Sequence, residues 1–188
     1  MPLNIPNLLT WLRIVLIPLV IGVYYYAPLP PHEQNLIATV AFVIAAVTDW
    51  FDGWLARKLG QTSAFGAFLD PVADKLMVAA ALAVLVELDR TNAVVAFIIV
   101  GREIAISALR EWMAHLGAAK SVAVSFVGKL KTAAQMVAIP MLLYHDDALG
   151  LPVAEMGDWL IWLAAALTLW SMGYYLGKAW PEIRSRTL

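Results

Sequence analysis

Four aspartates, Asp49, Asp52, Asp70 and Asp74, stand close together in the stretch "DWFDGWLARKLGQTSAFGAFLDPVAD". An ionised carboxylate away from water costs several kcal/mol or more unless it is paired or bound to a cation. On a helix at about 100° per residue, Asp49, Asp52, Gly53 and Ala56 share an arc of about 100°, and Arg57 borders it. Two carboxylates thus lie beside two very small side chains, which let a flat group come close to the backbone. Asp70 and Asp74 are four apart, one turn up the same face, and Gly66 joins them if the helix already runs there. Pro71 leaves a second possibility, with Asp70 as N-cap and proline at the first helical position. Two carboxylate pairs on adjacent helices make an all-oxygen set suited to hard divalent cations. The stretch holds no His or Cys, which argues against zinc. Four aspartates can hold two cations about 4 Å apart, the arrangement used for in-line attack at phosphorus. The bland alternative, a solvated acidic face, suits one such pair better than two pairs surrounded by apolar sequence.

The elements that carry these residues are set by hydropathy. The chain has 188 residues, 62% hydrophobic and 14% charged, with a mean hydropathy of +0.75. Soluble proteins carry about 25% charged residues, so an integral membrane protein is expected, as a single domain over 1–188. The net charge of -1 argues against nucleic acid as a partner. Without cysteine there are no disulfides or thiolate metal sites. The first residues lack a basic n-region and a small-residue cleavage site, so no cleaved leader is expected. Six apolar segments are long enough to span, about 8–26, 35–55, 72–88, 93–113, 122–144 and 159–176, separated by turn-rich breaks. The fold class read from this is all-α, a bundle of six transmembrane helices. Arg57, Lys58, Lys120, Lys178, Arg184 and Arg186 collect at one end, against Arg90 at the other. The basic end is therefore expected in the cytosol, with both termini and the aspartates.

The pattern Asp49-x2-Asp52-Gly53-x2-Ala56-Arg57-x8-Gly66-x3-Asp70-x3-Asp74 resembles, at every fixed position, the signature of the CDP-alcohol phosphatidyltransferase family. "NIPNLLTWLRIVLIP", "GREIAISALREWMA" and "SVAVSFVGKLKTAAQM" are similar to the bacterial branch that uses glycerol 3-phosphate, and the resemblance covers nearly the whole chain. It implies a six-helix membrane fold, usually a homodimer, in the cytoplasmic membrane. It also implies transfer of a phosphatidyl group from CDP-diacylglycerol to an alcohol, with release of CMP. By the resemblance, Asp49, Asp52, Asp70 and Asp74 hold Mg2+ or Mn2+, two ions, and Asp74 is also the base. Gly53, Ala56 and Gly66 make room for the CDP headgroup and Arg57 faces its phosphates. The chemistry agrees with the residues: a diphosphate diester cannot enter a carboxylate cluster without cations, and an acceptor hydroxyl must lose its proton.

Glycerol 3-phosphate, a dianion, needs cationic groups. Arg102, Glu103, Ser107 and Arg110 share an arc of about 140°, costly in a membrane helix unless it faces a cavity. Arg102 and Arg110 are candidates for the acceptor; alternatively they pair with Glu103 and Glu111. Lys129 and Lys131 are about 200° apart, so a regular helix cannot aim both inward. Lys131 shares its face with Gly128, Thr132 and Gln135, and Lys129 is free to snorkel. The resemblance nevertheless favours keeping both as acceptor candidates. Asn7 and Thr10 are candidates for polar contacts with the nucleotide-linked lipid, or for helix capping. His32, His115 and His145 are scattered and read as loop or interface residues. A cation transporter would place its acids near the bilayer midplane in repeated halves, which this chain does not show. The aspartates alone do not separate glycerol 3-phosphate from serine, inositol phosphate or phosphatidylglycerol as acceptor.

Overall fold

The computed structural model describes residues 5–59, 64–117, 126–148 and 150–187. Of residues 5–7, 50, 52–57, 59, 64, 65, 67, 126 and 185–187 it describes the backbone alone. Six helices account for almost all of it: α1 Ile5–Tyr26, α2 Pro31–Leu59, α3 Ala64–Glu87, α4 Ala93–His115, α5 Phe126–Tyr144 and α6 Val153–Thr187. Each overlaps one of the six apolar segments.

The helices pack as a closed ring in the order α1, α2, α5, α6, α4, α3 and back to α1, with α3 also touching α2 and α5. Small residues make the close approaches. Ala38, Ala41 and Ala45 on α2 and Ala73 and Ala81 on α3 are buried, interleaved with Phe42, Met77, Leu82, Leu85, Ile99 and Ile139. Without a hydrophobic drive between helices in lipid, van der Waals packing at such positions holds them together. Gly157 is a close case: a Cβ there would lie 3.1 Å from both Met141 Cβ and Leu142 Cγ, so α6 meets α5 closely where a larger residue would press on its neighbours.

The outer surface is apolar. Trp11, Val15 and Leu19 on α1, Phe97 and Ile104 on α4 and Leu163 and Trp170 on α6 are all exposed. So much exposed apolar surface on one chain marks contact with lipid or another protein. Trp159 and Trp180, 78% and 64% exposed, are separated along α6 by about 31 Å at 1.5 Å per residue. That matches the roughly 30 Å hydrocarbon core, with a tryptophan at each interface. By length and composition alone, two helices among the described residues qualify as spans, at Leu8–Tyr26 and Val153–Arg184. The apolar runs of α3 and α4 are interrupted by Asp70, Asp74, Arg102, Glu103 and Arg110, the residues of the candidate site.

Local signals set the ends of α4. Asn92 accepts a hydrogen bond from Val94 N–H as N-cap, and Gly117 follows the C-cap Leu116 at φ 73°, the left-handed position that favours glycine. At the end of the bundle away from the aspartates, Arg90 donates to Leu143 O at 2.8 Å, Leu142 O at 3.3 Å and Asn35 Oδ1 at 2.8 Å. Its guanidinium also lies over the Tyr24 ring, 5.8 Å from the centroid. Beside it, His32 pairs with Asp146 at 2.7 Å, and that hydrogen bond holds the Asp146 carboxyl below its ordinary range. His32 and His145 thus sit at an interhelical contact and in a loop, as read from sequence.

Candidate active site

The sequence left the start of α3 open. It begins at Ala64, so Gly66, Asp70, Pro71 and Asp74 are all inside one helix; Asp70 is not an N-cap. A proline there removes one backbone donor. Gly66 is buried, and Asp70 and Asp74 are partly buried. Asp49 lies on α2, its side chain 40% exposed. The side chains of Asn7, Asp52, Gly53, Ala56 and Arg57 lie outside the described residues, although α1 and α2 run through these positions.

The described aspartates are held from α1. Arg13 Nη1 makes an ion pair with Asp49 Oδ1 at 2.7 Å, and the arginine side chain is 1% exposed. A guanidinium so buried costs several kcal/mol unless paired, and Asp49 meets that need. One turn earlier on the same face, Thr10 Oγ1 donates to Asp70 Oδ1 at 2.5 Å. Thr10 was a candidate for contacting the lipid substrate; its hydroxyl is on Asp70. Arg13 was not among the candidates. The signal that could have found it is a single arginine inside the first apolar segment, three residues after a threonine, where an intramembrane charge implies a partner.

Asp74 lies within electrostatic reach of Asp49, Arg13 and Glu103. Asp74 and Arg13 face the same small void, with Phe42, Met77 and Met136 around it. Beside Asp49 a cavity of about 370 Å3 opens between α2 and α5, lined by Phe42, Val43, Ala46, Val47, Thr132 and Met136. It is apolar along its length and has a carboxylate at one edge. A further cavity of about 710 Å3 is at the Arg90 end and touches none of the candidate residues.

The cationic residues of α4 and α5 divide. Lys131, 1% exposed, makes an ion pair with Glu103, linking α5 to α4 through their side chains. Arg102 Nη1 approaches the same carboxylate at 3.6 Å, and its Nη2 donates to Ser171 Oγ at 3.1 Å. Arg102 and Arg110 both lie over the Tyr175 ring of α6, at 5.5 and 5.1 Å. The pairing alternative therefore describes Arg102 in this structure, and Arg110 is held by an aromatic face. Lys129 is exposed, as the helical angle between the two lysines requires. Lys131 is also within electrostatic reach of Asp74, which links this polar group to the aspartates.

Among the described residues, no three acidic or imidazole side chains converge on one point as a ready-made metal site. The donor chemistry nevertheless suits a hard cation. It consists of carboxylate oxygens, and the partly buried Asp49, Asp70 and Asp74 outnumber the guanidinium that faces them. A divalent ion would balance such a set.

A model of the CDP-alcohol phosphatidyltransferase family matches residues 3–170. The chain belongs to the CDP-alcohol phosphatidyltransferase family. The match takes in α1 through α5 and about half of α6, and with them every candidate residue. Curated relatives are similar along nearly their full length. One from Shigella flexneri serotype 5b (strain 8401) is 50% identical over 185 residues, covering 97% of this chain and 98% of the relative. One from Escherichia coli (strain K12) shows the same identity and coverage. One from Salmonella choleraesuis (strain SC-B67) is 50% identical over 181 residues, 95% and 96% of the two chains. All three are named CDP-diacylglycerol–glycerol-3-phosphate 3-phosphatidyltransferase. Family membership turns the cluster on α1, α2 and α3 into a candidate active site for a membrane phosphatidyltransferase.

Proposed function

We propose that this chain transfers the phosphatidyl group of CDP-diacylglycerol to sn-glycerol 3-phosphate, giving phosphatidylglycerophosphate and CMP. The observation that carries the reading is a juxtaposition. Asp49 of α2 stands at the edge of an apolar cavity of about 370 Å3 between α2 and α5, Asp74 of α3 lies within its electrostatic reach, and the buried Lys131 of α5, paired with Glu103 of α4, lies within reach of Asp74. A lipid with a charged diphosphate needs both kinds of surface, and an anionic acceptor needs the third. The relatives' names support glycerol 3-phosphate over other alcohols.

Asp49, Asp52, Asp70 and Asp74 would hold two divalent ions, Mg2+ or Mn2+. When bound, these neutralise the diphosphate and the departing CMP. Asp74, whose carboxylate is partly buried, takes the proton of the acceptor hydroxyl. The hydroxyl oxygen bonds to the phosphatidyl phosphorus as the bond to the CMP oxygen breaks. Gly53, Ala56 and Gly66 leave room for the nucleotide, and Arg57 faces its phosphates. Arg102, Arg110 and Lys131 set the positive potential in which the acceptor's phosphate is received, and Lys129 sits at the entrance. The enzyme is a multi-pass protein of the cytoplasmic membrane, with both termini and the site in the cytosol, and works as a homodimer. The lysines and arginines gathered at the aspartate end support that orientation.

The test is CMP release by the detergent-purified protein, with CDP-diacylglycerol, Mg2+ or Mn2+ and a panel of alcohols. Glycerol 3-phosphate should react and glycerol, serine and inositol phosphate should not. EDTA should abolish turnover, and Zn2+ should not restore it. Equal rates with glycerol and glycerol 3-phosphate would refute the acceptor, and full turnover in chelator would refute the metal reading.

A further inference from the structure

The two arms of the aspartate motif are brought together by a third helix. α2 and α3 meet each other only lightly, whereas α1 packs along both. From one face of α1, Arg13 takes Asp49 on α2 at 2.7 Å and Thr10 takes Asp70 on α3 at 2.5 Å. Arg13 also lies within electrostatic reach of Asp74 and lines the same void. Its guanidinium thus stands among the carboxylates with a full positive charge that no physiological pH removes.

We propose that α1 holds the two arms of the site together: Arg13 is a stand-in cation that pairs with Asp49 and competes with a divalent ion for it, and Thr10 is the donor that orients Asp70. This rests on the reading of Asp49 and Asp70 as metal-holding groups. The physical need is plain. Partly buried carboxylates on separate helices repel one another, and a cluster without an internal cation would push its helices apart whenever metal is absent. A guanidinium fills that place with a fixed charge and a planar fork suited to carboxylate. The arrangement has a definite cost. A positive charge beside the site opposes any arriving cation, so the same residue that preserves the site weakens its affinity for metal. Arg13 and Thr10 are positioning residues here, since each acts through an aspartate.

That opposition gives Arg13 a signature unlike that of ordinary structural support. Mn2+ binding to the full-length protein in detergent is followed by loss of the free Mn2+ electron paramagnetic resonance signal. Thermal unfolding is measured in parallel, in EDTA and in Mn2+. Arg13→Gln is expected to lower the Mn2+ dissociation constant at least threefold and to melt below wild type in EDTA. Mn2+ should then raise its melting temperature by more than it raises that of wild type. Arg13→Lys, which keeps a cation, should stay within twofold of wild-type affinity. Thr10→Val should weaken Mn2+ binding at least threefold, and Thr10→Ser should restore it. Unchanged or weaker Mn2+ binding by Arg13→Gln overturns the stand-in role, as does wild-type stability of that variant in EDTA. A wild type that binds no Mn2+ counts against the metal reading itself. In that case the EDTA comparison of Arg13→Gln with Arg13→Lys still decides whether the guanidinium holds the carboxylates together.

Discussion

Glu103 is a single carboxylate, 25% exposed, facing Lys131 at 1% exposure and Arg102 at 7%. Removing its charge by Glu103→Gln leaves two buried cations near each other with no anion between them. Breaking a buried pair from one side costs about 3–5 kcal/mol, because the partner stays behind uncompensated. Partial exposure of Glu103 lets water soften this, so the lower end, about 3 kcal/mol, is expected. For a chain of this length that corresponds to a fall in melting temperature of roughly 6–12 °C. Near-ultraviolet circular dichroism in detergent reports it, since tryptophans lie on several of the helices. Adding Lys131→Met to Glu103→Gln removes one of the stranded charges and should recover at least half of the loss. A Glu103→Gln protein within about 1 kcal/mol of wild type, or a double variant less stable than the single one, would refute the argument. Either result would mean that Lys131 and Arg102 are solvated from the acceptor side and need no carboxylate.

Two predictions separate the other charges by their effect on kinetics. Asp74→Asn should remove turnover and leave measurable CDP-diacylglycerol binding, because the remaining carboxylates still hold metal, whereas Asp49→Asn should weaken metal and nucleotide binding together; near wild-type turnover by Asp74→Asn would assign the base elsewhere. Arg110→Ala should raise KM for glycerol 3-phosphate at least tenfold, a loss of about 1.4 kcal/mol, with little change in KM for CDP-diacylglycerol. An effect confined to the nucleotide substrate would leave Arg110 as a support for Tyr175.

Hydropathy located all six helices because apolar runs and turn residues are local signals. It misjudged ends where polar sequence stays helical. α6 continues to Thr187, well past the last apolar residue used to bound it, and it runs through Gly177 and Pro181, residues that usually mark a helix end. α3 likewise starts before its proline, because a ring of neighbouring helices can offset the lost donor. The spacing of the aspartates placed Asp49 on one helix and Asp70 and Asp74 together on the next. Helical angles also separated buried Lys131 from exposed Lys129. Arg13 was missed for a different reason. Its charge inside an apolar segment implies a partner, but which partner depends on α1 lying across both α2 and α3, a tertiary fact. The placing of Arg102 and Arg110 on Tyr175 is of the same kind, since Tyr175 is about 65–75 residues distant in sequence and its helix has almost uniform hydropathy, with no marked inner face.

Arg90 binds the last carbonyls of α5, the first turns of α2 through Asn35 and the ring of Tyr24 near the end of α1, all from the turn between α3 and α4. Five of the six helices are thereby pinned at one point. Toward the opposite ends, where the aspartates lie, the ties among the described residues each join two or three helices: Arg13 to Asp49, Thr10 to Asp70, and Glu103 to Lys131 with Arg102 on Ser171. Mechanically the bundle is a pair of tongs whose pivot is one guanidinium. Helices fastened at one point resist sliding lengthwise past one another there, so a movement that admits a bulky lipid headgroup is a sideways one, with amplitude growing toward the carboxylates and vanishing at Arg90.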